Sequence, residues 1–240
     1  MMTNALEQDK EIGQSAQFRR KEQLLEVSVF LFLILPSLLL SFFAVKQGSV
    51  SFALTAVATI LRDIGLVCLI LFFLWRNRES IRLVGWTFES VWREIALGVV
   101  LFGPIYVGAG LLESFLQAAG FSTPATPLPS LVTPRDPGDL VLALLLVVVV
   151  ALAEETIFRG YLILRFENLT ASRTAAVLLS AFIFSLGHGY EGTAGVLTVG
   201  TMGLVFAIIY RWRRSLVAPI VLHFLQDFVS IVLLPLLGIN

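Results

Sequence analysis

The sequence predicts an all-α integral membrane protein, a polytopic bundle of about seven transmembrane helices. Of its 240 residues, 57% are hydrophobic and only 14% are charged, whereas soluble domains are roughly 45–50% apolar and about 25% charged. So little charge cannot cover the surface of a soluble globule, and so much apolar content does not suit a disordered chain. Long apolar segments recur along the chain, which leaves a multi-pass membrane protein.

Charge and cysteine content narrow the possible partners. The chain has 17 basic and 17 acidic side chains and a formal net charge of zero, so nothing favours nucleic acid as a partner. The single cysteine, Cys68, excludes an intrachain disulfide framework and a multi-cysteine metal site. The lipid bilayer is the expected partner, and the sequence leaves the oligomeric state open.

Seven apolar segments are measured against the ~20 residues that a helix needs to cross about 30 Å of hydrocarbon. A polar, charged segment precedes them at residues 1–26 and does not resemble a cleaved signal peptide, so we expect it to be a cytoplasmic N-terminal segment. The fifth segment, about 13 residues long, is the weakest. The predicted spans are 27–45, 52–75, 95–116, 140–166, 175–187, 194–210 and 216–237.

Domain organisation is predicted to be simple. No internal repeat or Gly/Ser-rich linker divides the chain, so residues 1–240 are interpreted as a single membrane domain. Five prolines within 119–137 predict an irregular loop there. The absence of an appended domain favours, weakly, a protein of a prokaryotic cytoplasmic membrane.

The distribution of Lys and Arg predicts the orientation. With a cytoplasmic N-terminus, only Lys46 and Arg135 fall on the outer side. Seven spans then place the C-terminus outside. The inner side collects Lys10, Arg19, Arg20, Lys21, Arg76, Arg78, Arg82, Arg93, Arg165, Arg173, Arg211, Arg213 and Arg214.

Ionisable side chains inside the predicted spans are the strongest pointers to chemistry, because each costs about 2.5–3.5 kcal/mol on insertion scales. Both histidines of the chain are among them. A single intramembrane histidine is often only hydrogen-bonded to a neighbouring helix, but the concentration of these groups favours function. The adjacent Arg62 and Asp63 are interpreted instead as helix-packing partners.

Two adjacent glutamates, Glu154 and Glu155, follow 14 uninterrupted apolar residues. Glu155 and Arg159 are four residues apart and can form a structural ion pair on one helix face. Glu154 points about 100° away from Glu155 in an α-helix. It is therefore free to face a cavity, where burial can tune it for work as a general base.

Two further spans present His188, His223 and Asp227. His188 ends the fifth span with Phe184 one turn earlier, and His223 and Asp227 share one face of the last span. Imidazoles with a carboxylate suit a catalytic zinc site, so Glu154, His188 and His223 are candidate ligands of one divalent metal ion such as zinc. Without metal, the same groups can deprotonate a water and stabilise an oxyanion. Both alternatives stay open.

These residues form three motifs whose order along the chain resembles that of the CPBP intramembrane proteases (CAAX protease and bacteriocin-processing, or Abi, family). This family includes the type II CAAX prenyl endopeptidases. The resemblance covers about residues 140–230, predicted as the catalytic core, while the first three spans match only in being hydrophobic. Three motifs in order, each within a predicted span, are more specific than any one alone. They are Glu154-Glu155-x-x-x-Arg159-Gly160, Phe184-x-x-x-His188 and His223-x-x-x-Asp227.

The resemblance implies an endopeptidase, metal- or glutamate-dependent, with its active site in a cavity among the later helices. By position, Glu154 corresponds to the water-activating glutamate and His188 to its partner. His223 and Asp227 correspond to the oxyanion-stabilising pair, although many members have Asn in place of Asp227. A carboxylate donates no hydrogen bond unless protonated, which favours a metal-ligand or orienting role for Asp227. The implied supporting residues are Glu155, Arg159 and Phe184.

The implied substrate is a membrane-associated peptide, either prenylated and of CAAX type or bacteriocin-like. The main alternative is a non-catalytic membrane immunity or scaffold protein that retains the protease fold. A small transporter would instead show inverted repeats and helices broken by Gly or Pro in matching halves, which the sequence lacks.

Helix lengths predict a difference in depth between two site residues. At about 1.5 Å per residue, Glu154 lies ~21 Å from the outer end of its span and His188 ~20 Å from the inner end of its own. In a core of about 30 Å, these depths differ by about 10 Å, too much to share a water. Either the fourth span starts inside the bilayer or the fifth starts late.

Overall fold

Helices account for nearly all of residues 2–44, 52–123 and 137–238, the part of the chain that the computed structural model describes. The side chains of residues 2–19, 43 and 44 lie outside that description. No β-strand occurs in these three ranges, which confirms the all-α class. The α-helices are α1 (Met2–Ala44), α2 (Phe52–Arg76), α3 (Val91–Ala118), α4 (Pro137–Glu154), α5 (Ile163–Thr170), α6 (Arg173–Leu186), α7 (Gly192–Arg213), α8 (Val217–Asp227) and α9 (Leu234–Leu236).

Six helical segments are long and apolar enough to cross a membrane, which confirms a polytopic integral membrane protein. α4 and α5 belong to a single segment of 34 residues, and α8 and α9 to another of 20. The backbone of each segment satisfies its own hydrogen bonds, as hydrocarbon requires. The six segments are Arg20–Phe42, Phe52–Arg76, Val91–Ala118, Pro137–Thr170, Gly189–Arg213 and Val217–Leu236.

The fifth predicted span, 175–187, forms the shorter helix α6, which has 14 residues. At 1.5 Å per residue it extends ~21 Å, less than the ~30 Å of hydrocarbon. The side chain of Ser172 caps its start by accepting a hydrogen bond from the backbone N–H of Ala175. At the other end, the chain turns at Gly187 and His188 into a 3-10 turn, Gly189–Glu191, that leads to α7.

The fourth span changes its helical pitch at the first motif. Glu155–Leu162 form a π-helix between α4 and α5. The hydroxyl of Ser180 donates a 2.6 Å hydrogen bond to the carbonyl oxygen of Phe158. On another side, Gly160 lies so close to Val84 that an added Cβ would be 2.6 Å from the Val84 carbonyl oxygen. Neighbouring elements therefore fix this segment, and π-helices are rare and frequent at functional sites.

A second π-helix, Phe228–Leu233, follows α8 directly after Asp227. Both π-helices thus begin one residue beyond a motif carboxylate, Glu154 in one case and Asp227 in the other. α8 packs along α3 and also contacts α4, while α2 lies along α4. The segments that carry the motifs are therefore surrounded by the early helices as well as the late ones.

Ion pairs join the ends of several helices at one end of the bundle. Arg76 pairs with Glu26, Arg165 with Glu26 and Glu79, Arg173 and Arg211 with Glu167, and Arg213 with Glu94. These five arginines are among the thirteen basic residues predicted to share a side. Lys46, Arg135 and the loop residues 124–136 lie outside the described residues, so the assignment of the two sides stays a prediction.

α3 is the most exposed span, with 6% of its most apolar window buried. Its glycines predict close helix packing, and the structure supports this at Gly98, where an added Cβ would be 2.8 Å from Val221. An added Cβ at Gly103, Gly108 or Gly110 would meet nothing within 4 Å in the described part of the chain. Close packing is therefore present at Gly98 and not at these three positions within the described part of the chain.

Candidate active site

Three helical segments present the predicted site residues. Glu154 ends α4, and Glu155 begins the π-helix that follows. His223 and Asp227 lie one turn apart on α8, and His188 lies on the turn after α6. Glu154, His188 and Asp227 are half-buried, while Glu155 and His223 are buried.

Three carboxylates lie close to the imidazole ring of His223. Its Nδ1 lies 2.8 Å from Glu155 Oε1, and because a carboxylate only accepts, Nδ1–H is the donor. Its Nε2 lies 3.5 Å from Asp227 Oδ2 and 3.7 Å from Glu154 Oε2. Both separations exceed direct hydrogen-bond distances. Glu155 therefore orients the imidazole, and Nε2 faces Glu154 and Asp227.

The predicted ion pair between Glu155 and Arg159 is present. Arg159 Nη1 lies 3.0 Å from Glu155 Oε1, and both side chains are almost completely buried. The guanidinium carbon lies 4.2 Å from the ring centroid of Phe184 and 5.3 Å from that of Phe206, in cation–π contact. The same carboxylate oxygen of Glu155 thus contacts both Arg159 and His223.

Phe184 connects the two histidines. Its ring centroid lies 5.0 Å from that of His188 and 6.2 Å from that of His223. His188 Nδ1 lies 3.3 Å from the carbonyl oxygen of Phe184, where it donates a hydrogen bond that leaves Nε2 without its hydrogen in the neutral ring. No direct hydrogen bond or ion pair links His188 to Glu154 or His223 in the described ranges.

Glu154 differs from its neighbour in that neither of its carboxylate oxygens forms a hydrogen bond among the described residues, the nearest histidine nitrogen being Nε2 of His223 at 3.7 Å. Among the described residues, its buried Oε2 has no hydrogen-bond partner. Glu154 also lines a cavity of about 20 Å³, whose other polar residues are Ser37, Arg62 and Asp63. The cavity lies between α1, α2 and the fourth span.

The depth difference predicted between Glu154 and His188 is not observed. Glu154 lies 16 residues before Thr170, the end of α5, and His188 lies 15 residues after Arg173, the start of α6. A short turn joins those two helix ends, so both residues lie ~22–24 Å along their helices from the same turn. The expectation failed because the fourth segment has 34 residues and extends well beyond a hydrocarbon core.

The candidate metal ligands do not converge in this structure. Glu154, His188 and His223 were expected to share an ion, yet no group of three or more His, Cys, Asp or Glu side chains is placed to hold a metal among the described residues. As arranged here, these side chains are not grouped as the ligands of one ion.

Sequence reasoning missed two features of the site. It assigned Arg62 and Asp63 to helix packing, whereas both line the cavity beside Glu154. It also gave Glu155 only one partner, Arg159, and did not foresee its bond to His223. The cost of charge in the middle of a span was the available signal for Arg62 and Asp63. No local pattern could indicate that α8 would bring His223 to Glu155.

Residues 136–229 match the family model described as Rce1-like, type II CAAX prenyl endopeptidase. The matched segment contains all three motifs and ends two residues after Asp227. No curated protein and no solved structure matches the chain. The family match confirms the predicted assignment to the CPBP, or CAAX protease, family.

Proposed function

Because the chain belongs to the CAAX protease family through its Rce1-like segment at residues 136–229, we propose that it hydrolyses a peptide bond of a membrane-associated substrate. The observation that carries the assignment of roles is the difference between two adjacent glutamates. Glu155 Oε1 contacts both Arg159 and His223, whereas Glu154 forms no side-chain hydrogen bond among the described residues and lines a small cavity.

We assign Glu154 as the general base. A water molecule gives a proton to its carboxylate, and the oxygen left behind bonds to the carbonyl carbon of the scissile peptide. The electron pair of the carbonyl double bond moves onto its oxygen. When this tetrahedral intermediate collapses, the C–N bond breaks and the leaving amine takes the proton from Glu154. Such transfers by a positioned side chain contribute typically about 10²–10⁴-fold to rate.

Histidines meet the charge that develops on the carbonyl oxygen. The bond from Nδ1–H to Glu155 holds the His223 ring, and in the doubly protonated imidazolium, which the neighbouring carboxylates stabilise, Nε2–H can donate to an oxyanion. Asp227, one turn away, orients that edge of the ring. His188, held at Nδ1 by the Phe184 carbonyl, presents its Nε2 as the partner of Glu154 in handling the water.

The proposed substrates are prenylated CAAX-type peptides or bacteriocin-like peptides in a prokaryotic cytoplasmic membrane, with the N-terminus of the enzyme in the cytoplasm. We also propose, from the sequence, a divalent metal ion such as zinc as a cofactor. Titration of the purified enzyme with a chelator tests whether activity depends on it.

Cleavage of a prenylated CAAX peptide by the purified protein in proteoliposomes tests the assignment of Glu154. We expect Glu154→Gln to lower the rate at least about 100-fold, because the amide keeps the size of the side chain but cannot accept the proton. Thermal unfolding in detergent should remain near that of the wild type.

Glu113→Gln is the matched control. Glu113 lies on α3 and accepts a hydrogen bond from Gln117, outside the site. This variant should cleave like the wild type. Full activity of Glu154→Gln would contradict the mechanism. A well-folded wild type that cleaves neither prenylated nor bacteriocin-like peptides would favour the non-catalytic immunity or scaffold alternative.

A further inference from the structure

The pair Arg62–Asp63 on α2 lies at the same cavity as the proposed base, although it belongs to none of the family motifs. Arg62 Nε donates a 2.8 Å hydrogen bond to Asp63 Oδ1. Both residues lie near the middle of a 25-residue apolar segment. Charges at that position are costly and mark functional sites by default.

The two members of the pair are exposed to very different extents. The side chain of Asp63 is 1% exposed, whereas that of Arg62 is 42% exposed. Asp63 therefore points into the bundle, and its second oxygen, Oδ2, is buried without a hydrogen-bond partner among the described residues. Burying such an oxygen without a hydrogen bond is costly, and a water molecule in the adjacent cavity can supply the missing bond.

The cavity lined by this pair is large enough for one water molecule, and polar side chains line part of it. Its volume is about 20 Å³, and a site of roughly 10–15 Å³ or more holds one water if it offers two to four polar partners. The two carboxylate oxygens without partners, Asp63 Oδ2 and Glu154 Oε2, belong to residues that line it. Ser37, whose hydroxyl donates to the Ile34 carbonyl, also lines this cavity.

We propose that Asp63, restrained by Arg62, positions the water molecule that Glu154 activates. The water donates one hydrogen to each carboxylate, and its lone pairs are then directed away from both towards the substrate. Arg62 also interacts electrostatically with Glu154, which offsets the repulsion between two neighbouring carboxylates. This proposal rests on the proposed function, and it makes Asp63 a positioning residue that the motifs do not contain.

The test measures kcat and KM for Asp63→Asn with the same peptide in proteoliposomes. An amide keeps the volume but presents an N–H₂ group or a weaker acceptor to the water, so we expect kcat to fall roughly 10- to 100-fold with KM unchanged. Asp63→Glu should recover part of that loss. Cys68→Ser, at an exposed position on the same helix, is the control and should match the wild type.

Ser37→Val supplies a second test that leaves every charge in place. Its larger side chain fills the cavity, so we expect the water to be displaced and kcat to fall by a similar factor. Normal kcat in both Asp63→Asn and Ser37→Val would overturn the proposal. A lower yield of folded Asp63→Asn with normal kcat per folded molecule would also overturn it, since Asp63 would then be structural only.

The failure of this proposal is distinguishable from the failure of the proposed function. If Glu154→Gln is inactive while Asp63→Asn and Ser37→Val cleave normally, only the role of Asp63 is wrong. If Glu154→Gln cleaves normally, the proposed mechanism is wrong, and the role proposed for the water site is then wrong as well.

Discussion

Two clusters of charged side chains in this protein differ in how their charges are balanced. At the helix ends, Arg76 and Arg165 face Glu26 and Glu79, so that cations and anions are equal in number. In the middle of the bundle, carboxylates outnumber arginines. The carboxylates there are Asp63, Glu154, Glu155 and Asp227, and the arginines are Arg62 and Arg159.

This difference in charge pairing indicates where binding or chemistry is expected. Arg165, completely buried, contacts the Glu79 carboxylate with both terminal nitrogens, at 2.9 and 2.5 Å. Paired arginine–carboxylate geometry of this kind suits a structural clamp. In the central cluster, Asp63 Oδ2 and Glu154 Oε2 lack hydrogen-bond partners among the described residues, as Glu26 Oε2 does at the helix ends, but Asp63 and Glu154 also line a cavity. Unmatched charge inside a membrane is retained at a cost in stability, which is typical of functional sites.

The largest expected effect comes from removing the committed glutamate of the central cluster. Glu155→Ala leaves Arg159 without its carboxylate in a buried site and frees the imidazole of His223. Breaking a buried pair in this way costs about 3–5 kcal/mol. We expect the yield of folded protein and its unfolding temperature in detergent to drop sharply, whereas Glu154→Ala should fold nearly like the wild type. A stable, inactive Glu155→Ala would show that the roles of the two glutamates are exchanged.

Asp227 should give the next largest effect. Its Oδ2 lies 3.5 Å from Nε2 of His223, so a carboxylate there orients the ring or binds a cation. Asp227→Asn should then reduce cleavage about 10–100-fold, the range typical of lost orienting partners at metal sites. The measurement is peptide cleavage with chelator titration of the wild type, Asp227→Asn and Asp227→Leu. If Asn retains or improves activity, the task of Asp227 is donation to the oxyanion; equal rates for all three would make it a bystander.

Gly160→Ala tests whether the π-helix positions the central cluster. The added Cβ would be 2.6 Å from the Val84 carbonyl oxygen, a backbone atom that cannot move away cheaply. Overpacking of this kind typically costs about 1–3 kcal/mol, to be measured as a lower unfolding temperature. Gly103→Ala is the matched control, because its Cβ would meet nothing within 4 Å among the described residues. Equal stability of the two variants would contradict the close packing at Gly160.

Membrane topology should be insensitive to all these changes, and reporter tags check it. We expect tags at Arg78 and Arg213 to be cytoplasmic, on the side of the paired helix ends. Tags after Lys46 and at the C-terminus should be outside. A cytoplasmic C-terminus would mean that α6 does not complete a crossing, which its 14 residues make the most sensitive point of the prediction.

Local sequence signals predicted much of the fold and part of the site. Runs of about 20 apolar residues are a property of composition, so the long spans could be recognised without a structure. The pair Glu155–Arg159 and the proximity of His223 to Asp227 both follow from i,i+4 spacing. The shortness of the fifth segment was visible in the same way, although its consequence for the depth of His188 was not.

Contacts between distant segments could not be predicted in this way. The π-helix depends on Ser180 and Val84, which belong to other elements, so an α-helical spacing was the natural assumption for the first motif. The bond between His223 and Glu155 and the cavity shared by Glu154 and Asp63 join helices far apart in the chain.

The sequence alone indicates a helical membrane protein with carboxylates and histidines at costly positions in its spans. Hydropathy and helical spacing are local properties of a few turns, so they can be recognised in each segment separately. Tertiary packing decided which glutamate is committed, at what depth His188 lies, and that Asp63 joins the site. Those outcomes depend on how helices meet, and the energy of a buried charge is set by neighbours that only the folded bundle supplies.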